Sequence, residues 1–447
     1  MKSPATKTLL INSEQLFDGF KVMHDASVLV KGGKIVEVGR RDFRADKTLE
    51  TSFLMPGLID MHVHVAGYTE DFRDPFKAVK NFLNLLLYNG VTAVRDVGNY
   101  LETKFFVEKW REKNPAPLFF SSGPMLDEPP LKWFHSRAVS SIDEAKTQVR
   151  RLHFEGMDLI KVYDGVKPKT LKAIVDEAHS KGLRVAGHLG ATSAIEAAKI
   201  GIDTIEHAGK LLDKSYVGDA EKGDGSGKEI AEMFKIWCKA DLSSERVKEL
   251  IQILVERGTY VCPTLLVLRR SVYVEEGLKD PNIDYMEKVM PYQKYFKYMR
   301  NPLSRLLFSK RFKKFMPFML TKEDRELARK GFEKISEFVG MLAKAGVKII
   351  AGTDSPNPFI VPGFSLHQEL ELLVQAGLKP LQALKSATST AAEALGKNLG
   401  VIEQGALANL LLIDGNPIKH VRDLEKIEDI ILEGKVLERD ELANRIE

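Results

Sequence analysis

Short apolar segments in the middle of the chain alternate with longer segments, and this alternation is the feature that most constrains the fold. Eight apolar segments predict strands: 58–63, 92–97, 118–122, 158–163, 183–188, 203–208, 259–265 and 348–354. Helical periodicity, ending on glycine as helices often do, occurs in the segments 75–90, 141–156, 169–182 and 325–346. Strands that alternate with helices predict a parallel sheet, and a count of eight favours an α/β fold of the (β/α)8 TIM-barrel type. An open, doubly wound sheet is the alternative.

Both ends of the chain are rich in strand-like segments, unlike the middle. These segments are 8–12, 26–39, 409–417 and 429–438. Gly32 and Gly33 divide one of them into a hairpin, because both positions of a two-residue turn can then adopt positive φ. We therefore expect residues 1–55 and 400–447 to form one small β-sandwich domain, and residues 56–399 to form the barrel.

Composition excludes several classes of protein. The chain has 447 residues, of which 44% are hydrophobic and 29% are charged, a balance typical of globular proteins and unlike that of disordered or fibrous chains. It has 66 Lys and Arg residues against 62 Asp and Glu residues, for a net charge of +4. So small a surplus gives no reason to expect nucleic-acid binding.

Cysteine content and the N-terminal sequence bear on the cellular compartment. The two cysteines, Cys238 and Cys262, are too few for a disulfide framework or for a zinc site made of thiolates alone. The N-terminal apolar run, residues 9–11, is shorter than a signal-peptide core, and no window approaches the roughly 18 apolar residues of a membrane span. We therefore expect a cytoplasmic protein.

An insertion at residues 266–322 precedes the eighth predicted strand. Its part 284–320 contains nine Lys and Arg residues, two acidic residues and nine Tyr and Phe residues. A surface-seeking amphipathic helix is one interpretation. A lid or helical cap over the barrel mouth is the favoured one, because inserts after barrel strands lie at the active-site face. Membrane association is accordingly not expected.

Metal-ligand residue types occur at the predicted strand ends. His62 and His64 flank Val63 at the end of the first barrel strand, and alternate residues of a strand point to the same face, so both imidazoles can reach one ion. Lys161 lies within an apolar strand, where an ammonium group is costly to bury. It is either a lysine at the strand rim paired with an acid, or an amine that loses its charge and forms a carbamate with CO₂.

Three further residues end predicted strands. His188 ends the fifth, His207 the sixth and Asp354 the eighth. Each histidine alone could be a structural core residue, but a carboxylate after so apolar a run is costly unless it faces a cation. In a barrel the C-terminal strand ends converge on one face, where active sites form. The six residues together therefore predict a metal site.

The order of these motifs resembles the amidohydrolase superfamily. The resemblance rests on GLIDMHVH, the strand lysine, GH, IEH and AGTDS, and on a similar C-terminal region, so that it covers essentially the whole chain. It is closest to the branch of imidazolonepropionase-like and prolidase-like hydrolases.

The resemblance implies a site for two divalent ions, usually zinc. His62, His64 and Asp354 would bind one ion, and His188 and His207 the other. Lys161, carboxylated by CO₂, would bridge them. It further implies a bridging hydroxide as the nucleophile, with Asp354 as the catalytic base that then delivers the proton to the leaving group.

Two residues are candidate substrate contacts. Relatives often have a Gly-Gly-His turn after the third strand, and His135 falls in that region although the glycines are missing; a loop histidine is the other interpretation. Tyr163 lies two residues after Lys161, on the same side of the strand. It either donates a hydrogen bond to a substrate oxygen or packs at the barrel mouth.

The expected activity is hydrolysis of an amide or related C–N bond in a small molecule: a dipeptide, an N-acyl amino acid or a cyclic amide. Hydrolysis of a lactone, an ester or a phosphotriester by the same two-metal site is the alternative. A barrel that binds without catalysing is the third hypothesis, which the presence of all six metal-type residues disfavours. The composition permits a homo-oligomer.

Overall fold

The computed structural model describes residues 7–39, 43–65, 75–216, 227–290 and 322–446, and it contains sixteen strands in these ranges. In chain order the strands are β1 Thr8–Phe17, β2 Val22–Lys31, β3 Lys34–Gly39, β4 Lys47–Pro56, β5 Leu58–Val63, β6 Val91–Asp96, β7 Leu118–Ser121, β8 Leu126–Asp127, β9 Arg137–Ala138, β10 Leu159–Val162, β11 Arg184–Gly187, β12 Thr204–Glu206, β13 Tyr260–Cys262, β14 Leu410–Ile413, β15 Ile427–Leu432 and β16 Lys435–Glu438.

The α-helices of the described ranges are Pro75–Tyr88, Leu101–Arg111, Ile142–Phe154, Pro168–Ser180, Ala194–Ile200, Gly227–Lys239, Glu245–Arg257, Leu265–Val272, Val274–Lys279, Met286–Val289, Lys322–Ala345, Phe364–Gln375, Pro380–Ser386, Ser389–Leu395 and Arg439–Ala443. All four predicted helices are confirmed to within three residues at each end. Ser141 caps one of them by accepting a hydrogen bond from the Glu144 backbone N–H, which satisfies a free donor of the first turn.

Both chain ends contribute to one seven-stranded sheet with the order β16-β15-β14-β4-β1-β2-β3. The two ends meet where β14 pairs antiparallel with β4. Gly32 and Gly33, with φ of 59° and 79°, form the predicted hairpin turn between β2 and β3. These strands form one continuous hydrogen-bonded sheet, so the two-layer packing of a sandwich stays a prediction.

The middle of the chain forms two parallel sheets, which confirms the predicted α/β class. One sheet has the order β5-β6-β7, and the other has the order β13-β12-β11-β10-β8-β9. A backbone hydrogen bond of 2.9 Å from Asp158 N to Ser121 O connects the end of β7 to the start of β10. Seven of the eight predicted strands are present, each beginning and ending within three residues of the prediction.

The eighth predicted strand, 348–354, is not a regular strand, which corrects the prediction. Only isolated parallel bridges occur there, between Ile349 and Val261 and between Ser355 and Val63. Asp354 has φ of 62°, which interrupts the extended backbone just before the second bridge. The segment nevertheless lies between β13 and β5, because Val261 N donates to Lys348 O and Met61 N donates to Ala351 O.

The predicted insertion is described only in part. It begins with the helices Leu265–Val272 and Val274–Lys279, while most of the basic aromatic stretch 284–320 lies outside the described residues. The membrane-helix and lid interpretations of that stretch are therefore not tested. Among the described residues, no helix is both long and apolar enough to cross a membrane.

One part of the hydrophobic core belongs to the seven-stranded sheet alone, while other residues of that sheet, such as Phe17, Phe53 and Leu411, belong to the larger core. One cluster, which includes Ile11, Val28, Leu54 and Leu410, draws all of its buried members from residues 9–54 and 401–431. A larger cluster packs the helices of the middle of the chain against the parallel strands. Burial of apolar side chains thus stabilises the seven-stranded sheet from both chain ends together.

The hairpin turn gives a test of the contact between the chain ends. A Cβ on Gly33 would lie 2.9 Å from the carbonyl oxygen of Glu433, at a backbone conformation that L-residues rarely adopt. We expect Gly33→Ala to lower the free energy of unfolding by about 1–3 kcal/mol. Gly39→Ala is the control, because a Cβ there would meet no atom of the described residues within 4 Å. Urea unfolding followed by circular dichroism checks this, and equal midpoints for the two variants would contradict it.

Candidate active site

A cavity of about 380 Å³ opens at the C-terminal ends of the parallel strands. All six predicted metal-type residues line it, together with His135 and Tyr163. The convergence of strand ends predicted from the sequence is therefore observed. The five other histidines do not line the cavity: His24, His153, His179, His367 and His420. Of these, His367 is buried and its Nε2 lies 2.9 Å from the Asn89 carbonyl oxygen.

Two histidines and an aspartate form the most compact group. The Nε2 atoms of His62 and His64 lie 3.5 Å and 3.2 Å from Oδ1 of Asp354. One ligand atom from each residue lies within 4.8 Å of the others, a spacing that one metal ion can occupy. Two imidazoles and a carboxylate are ligands that suit a divalent ion such as zinc.

The second ring nitrogen of each of these histidines is held by the protein. Nδ1 of His62 lies 2.7 Å from Oε2 of Glu206, and Nδ1 of His64 lies 2.9 Å from the Gly98 carbonyl oxygen. A carboxylate or carbonyl oxygen can only accept, so Nδ1 carries a proton in both rings. Burial would lower the pKa of His64, but the hydrogen bond between its Nε2 and Asp354 raises it, so a metal ion at Nε2 would take the place of a proton there. Metal-ligating histidines are oriented in this way, so the donor set fits a bound ion.

Lys161 is 1% exposed in the middle of β10. Its Nζ atom has no hydrogen-bond partner in the described part of the chain. Burial lowers the pKa of Lys161 to about 8, because the ammonium form loses its hydration. The alternative of a rim lysine paired with an acid is not observed. An amine with so low a pKa is suited to reaction with CO₂, which requires the neutral form.

His207 and His188 lie beside this group. Their ring centroids are 4.6 Å apart, and that of His207 is 4.7 Å from His62. Nδ1 of His207 lies 2.8 Å from Oγ1 of Thr264, and Nε2 of His188 lies 4.0 Å from Oδ1 of Asp164. Neither belongs to the ligand groups that lie within 4.8 Å of one another in the described ranges. Burial lowers the pKa of His207 to about 3, and that of His188 well below its usual value, so both rings are neutral.

Asp354 is held as a carboxylate. Burial alone would raise its pKa, but the adjacent imidazoles of His62, His64 and His207 lower it well below the usual value. Its backbone N–H donates to the His62 carbonyl at 2.8 Å, which fixes its position against β5.

Positive φ angles are concentrated at this site. His207, Thr264 and Asp354 have φ of 63°, 48° and 62°. Such conformations cost of order 1–3 kcal/mol each for residues other than glycine, and they persist where the surrounding structure holds them. At these three positions they turn the chain directly after a strand or strand-like segment and aim the side chains at one another.

The two candidate substrate contacts lie on the cavity wall. His135 is 8% exposed, and its Nδ1 has no hydrogen-bond partner among the described residues. Burial lowers the pKa of His135 to about 4, so its ring is neutral. The ring of Tyr163 lies 4.5 Å from that of His188, and burial raises the pKa of its hydroxyl above the usual value.

Sequence reasoning missed the buried pair that supports His62. Arg95 of β6 donates from Nη2 to Oε1 of Glu206 at 2.6 Å, and from Nε to the Met61 carbonyl at 2.6 Å. Burial would raise the pKa of Glu206, but Arg95 and Lys161 lower it far below the usual value. Arg95 and Glu206 are both charged residues within apolar strands. Lys161 was identified from the same pattern, so the same reasoning could have identified these two residues.

A second group of possible ligands, His62, Glu206 and Cys262, lies deeper. Both carboxylate oxygens of Glu206 are already bonded, one to His62 and the other to Arg95. Burial raises the pKa of the Cys262 thiol well above its usual value, so it is not a thiolate. This group therefore orients His62 and does not offer a second metal site.

A sequence model of the amidohydrolase family matches residues 53–437. The chain belongs to the amidohydrolase family. The family typically uses metal ions, in keeping with the ligand group at the strand ends.

Individual relatives are more distant. A dihydroorotase of Pyrococcus abyssi (strain GE5 / Orsay) is 30% identical over 78 residues, which are 17% of this chain and 19% of that protein. The chain thus matches about a fifth of the length of this curated relative.

Two crystal structures share the fold. A Xaa-Pro dipeptidase with bound methionine is 21% identical with a TM-score of 0.69, over 96% of this chain and 100% of that one. The A. niger ochratoxinase is 20% identical with a TM-score of 0.70, over 97% and 96%.

The contact between Glu206 and His62 can be tested by metal binding. Glu206→Gln removes the negative charge that fixes the proton on Nδ1 of His62, so we expect the affinity for zinc to fall roughly 10- to 100-fold. Glu393→Gln, at an exposed glutamate paired with Lys348, is the matched control and should bind zinc like the wild type. Competition with a chromophoric chelator measures this. Equal affinities for both variants would show that Glu206 does not orient a ligand.

Proposed function

We propose that the protein is a metal-dependent hydrolase that cleaves an amide or related C–N bond of a small molecule. One observation carries the proposal. The Nε2 atoms of His62 and His64 converge on the carboxylate of Asp354, while the protein holds both Nδ1 atoms. Family membership and the name of one structural relative, a Xaa-Pro dipeptidase, support an amide bond as the target.

The proposed ligand set divides the six residues between two divalent ions, most suitably zinc. His62, His64 and Asp354 would hold one ion; His188 and His207 would hold the other. Lys161, carboxylated by CO₂, would bridge them. The unpartnered buried amine of Lys161 and the neutral state of His188 and His207 support this assignment.

The bound ions would polarise the scissile carbonyl and lower the pKa of an attacking water. Asp354 is placed to accept the proton of that water, because it is a carboxylate on the cavity floor. It would then pass the proton to the leaving nitrogen, as general base and then general acid. His135 and Tyr163 would donate hydrogen bonds to substrate oxygens, since both lie on the wall and both retain a proton at neutral pH.

The architecture that carries this chemistry is also proposed. Residues 56–399 would form a closed (β/α)8 barrel, with residues 1–55 and 400–447 as a small β domain. The hydrogen bonds from Asp158 to Ser121, and those that flank the segment 348–355, support closure. The core cluster drawn only from the two chain ends supports the domain boundaries.

Metal content tests the ligand set. Elemental mass spectrometry on protein purified without chelator should find close to two ions per chain, and Lys161→Ala should reduce this to one or fewer. Lys104→Ala is the control, because Lys104 is a buried lysine that pairs with Asp158 outside the cavity. No bound ion after supply of Zn²⁺ and bicarbonate would refute the proposal, and full occupancy in Lys161→Ala would refute the bridge.

A substrate panel tests the reaction. Dipeptides, N-acyl amino acids and cyclic amides should be hydrolysed, and Asp354→Asn should lower kcat roughly 10²- to 10⁴-fold through loss of proton transfer. Lactones and phosphotriesters belong in the same panel. Faster hydrolysis of these than of any amide would favour the alternative reaction at the same site.

A further inference from the structure

Thr264 has a backbone conformation that its own side chain disfavours. It lies two residues after β13, with φ of 48° and ψ of 49°, in the left-handed region. A β-branched residue is a genuine outlier there, and Thr264 is the one β-branched residue among the described non-glycine residues with positive φ. Glycine would avoid the strain but would have no side chain to place. Strain of this kind is found at functional sites, where the surrounding structure holds it.

The side chain of Thr264 is fully buried and contacts a proposed metal ligand. Oγ1 lies 2.8 Å from Nδ1 of His207, while Thr264 itself does not line the cavity. A hydroxyl can either donate or accept a hydrogen bond. An ion at Nε2 of His207 requires the ring proton to be on Nδ1, and Oγ1 can then accept it. Thr264 would thus do for His207 what Glu206 does for His62.

Backbone hydrogen bonds hold these two residues side by side. The backbone N–H groups of His207 and the following residue donate to the carbonyls of Cys262 and the following residue, at 2.8 Å and 3.0 Å. The next two N–H groups after Thr264 donate to the carboxyl group of Glu369, at 2.8 Å and 2.7 Å. The left-handed conformation of Thr264 is therefore fixed from both sides.

A second acceptor lies close to the same ring nitrogen. Oδ2 of Asp354 is 3.9 Å from Nδ1 of His207, a gap that a shift of about 1 Å would close to a hydrogen bond. Without the Thr264 hydroxyl, the buried Nδ1–H would lose its partner, and pairing with Asp354 would remove that cost. A carboxylate is also the stronger acceptor of the two. Such a pair would occupy a proposed ligand and the proposed general base together.

We propose that Thr264 is a positioning residue, whose hydroxyl accepts the Nδ1–H of His207 so that the ring offers Nε2 to a metal ion instead of pairing with Asp354. The inference rests on the proposed metal-dependent hydrolysis and adds to it a residue that contacts neither the ions nor the substrate. The strained backbone of Thr264 then has a function, because it places the hydroxyl beside His207.

Three substitutions separate the hydroxyl from the shape of the side chain. Thr264→Val keeps the branched shape without the hydroxyl, and Thr264→Ser keeps the hydroxyl without the methyl group. Thr264→Ala removes both and guards against misfolding of Thr264→Val. Competition with a chromophoric chelator should show that the second zinc ion binds roughly 10- to 100-fold more weakly in Thr264→Val and Thr264→Ala. Thr264→Ser should bind it with an affinity close to that of the wild type.

Crystal structures of the metal-free variants provide a readout that needs neither zinc nor activity. We expect Nδ1 of His207 to come within hydrogen-bond distance of Oδ2 of Asp354 in Thr264→Val, and to keep its wild-type distance in Thr264→Ser. Thr388→Val is the matched control, because Thr388 is a buried threonine whose hydroxyl donates to the Leu384 carbonyl at 2.7 Å and which does not line the cavity. It should leave both zinc binding and the position of His207 unchanged.

Equal zinc affinity in Thr264→Ser and Thr264→Val would overturn the proposal. So would weaker binding in Thr264→Ser than in Thr264→Val, because that order is expected if Thr264 only fills space. A His207 ring that keeps its position in both Thr264→Val and Thr264→Ala would overturn it as well.

Hydrolysis assays separate this proposal from the one on which it rests. If zinc binding follows the Thr264 hydroxyl but no amide is cleaved, the positioning role stands and the proposed reaction fails. If amides are cleaved with the same kcat by the wild type, Thr264→Ser and Thr264→Val, the proposed reaction stands and the positioning role fails.

Discussion

The candidate site depends on the neutralisation of charge that is buried between the parallel strands. Arg95, Glu206 and Lys161 are at most 2% exposed, and the cost of burying any one of them as an unpaired ion is several kcal/mol. Arg95 and Glu206 compensate each other at 2.6 Å, and Glu206 then holds His62. Burial lowers the pKa of Lys161 to about 8, which reduces the cost of its losing the proton. These charges can compensate one another only when β5, β6, β10 and β12 are correctly positioned relative to one another. The fold and the site are therefore specified together.

The irregular segment 348–355 shows that local backbone strain also helps to position a residue of the candidate site. A regular strand there would point alternate side chains to opposite faces, and the positive φ of Asp354 breaks that alternation. The Asp60 carboxyl group restrains the segment, because it accepts hydrogen bonds from the hydroxyl and the backbone N–H of Thr353. Burial raises the pKa of Asp60 to about 7, so this restraint does not require a full charge. The strain at Asp354 is thus held by contacts with β5 on both sides.

Local pattern was sufficient to predict most of the strands, the four helices and the position of the metal-type residues. It was sufficient because strand ends and helix caps are specified by neighbouring residues such as Ser141 and Gly33. It failed where the structure depends on residues far apart in sequence. The pairing of Arg95 with Glu206 spans 111 residues, and nothing in either strand alone indicates it. The irregular backbone at Asp354 was missed for the same reason, since hydrogen bonds to β5 maintain it.

The proposed metal ligands and the helix Leu265–Val272 are held in place by different contacts. The metal-type residues are placed by strand ends and by buried hydrogen bonds, so their positions are nearly independent of the ligand. Part of the cavity wall belongs to the helix Leu265–Val272, whose first backbone N–H groups donate to Glu369. Burial raises the pKa of Glu369 to about 8, so these hydrogen bonds are made without a full buried negative charge at neutral pH. A change in the side chains of this helix can therefore alter the ligand that is bound while the strand ends keep their geometry.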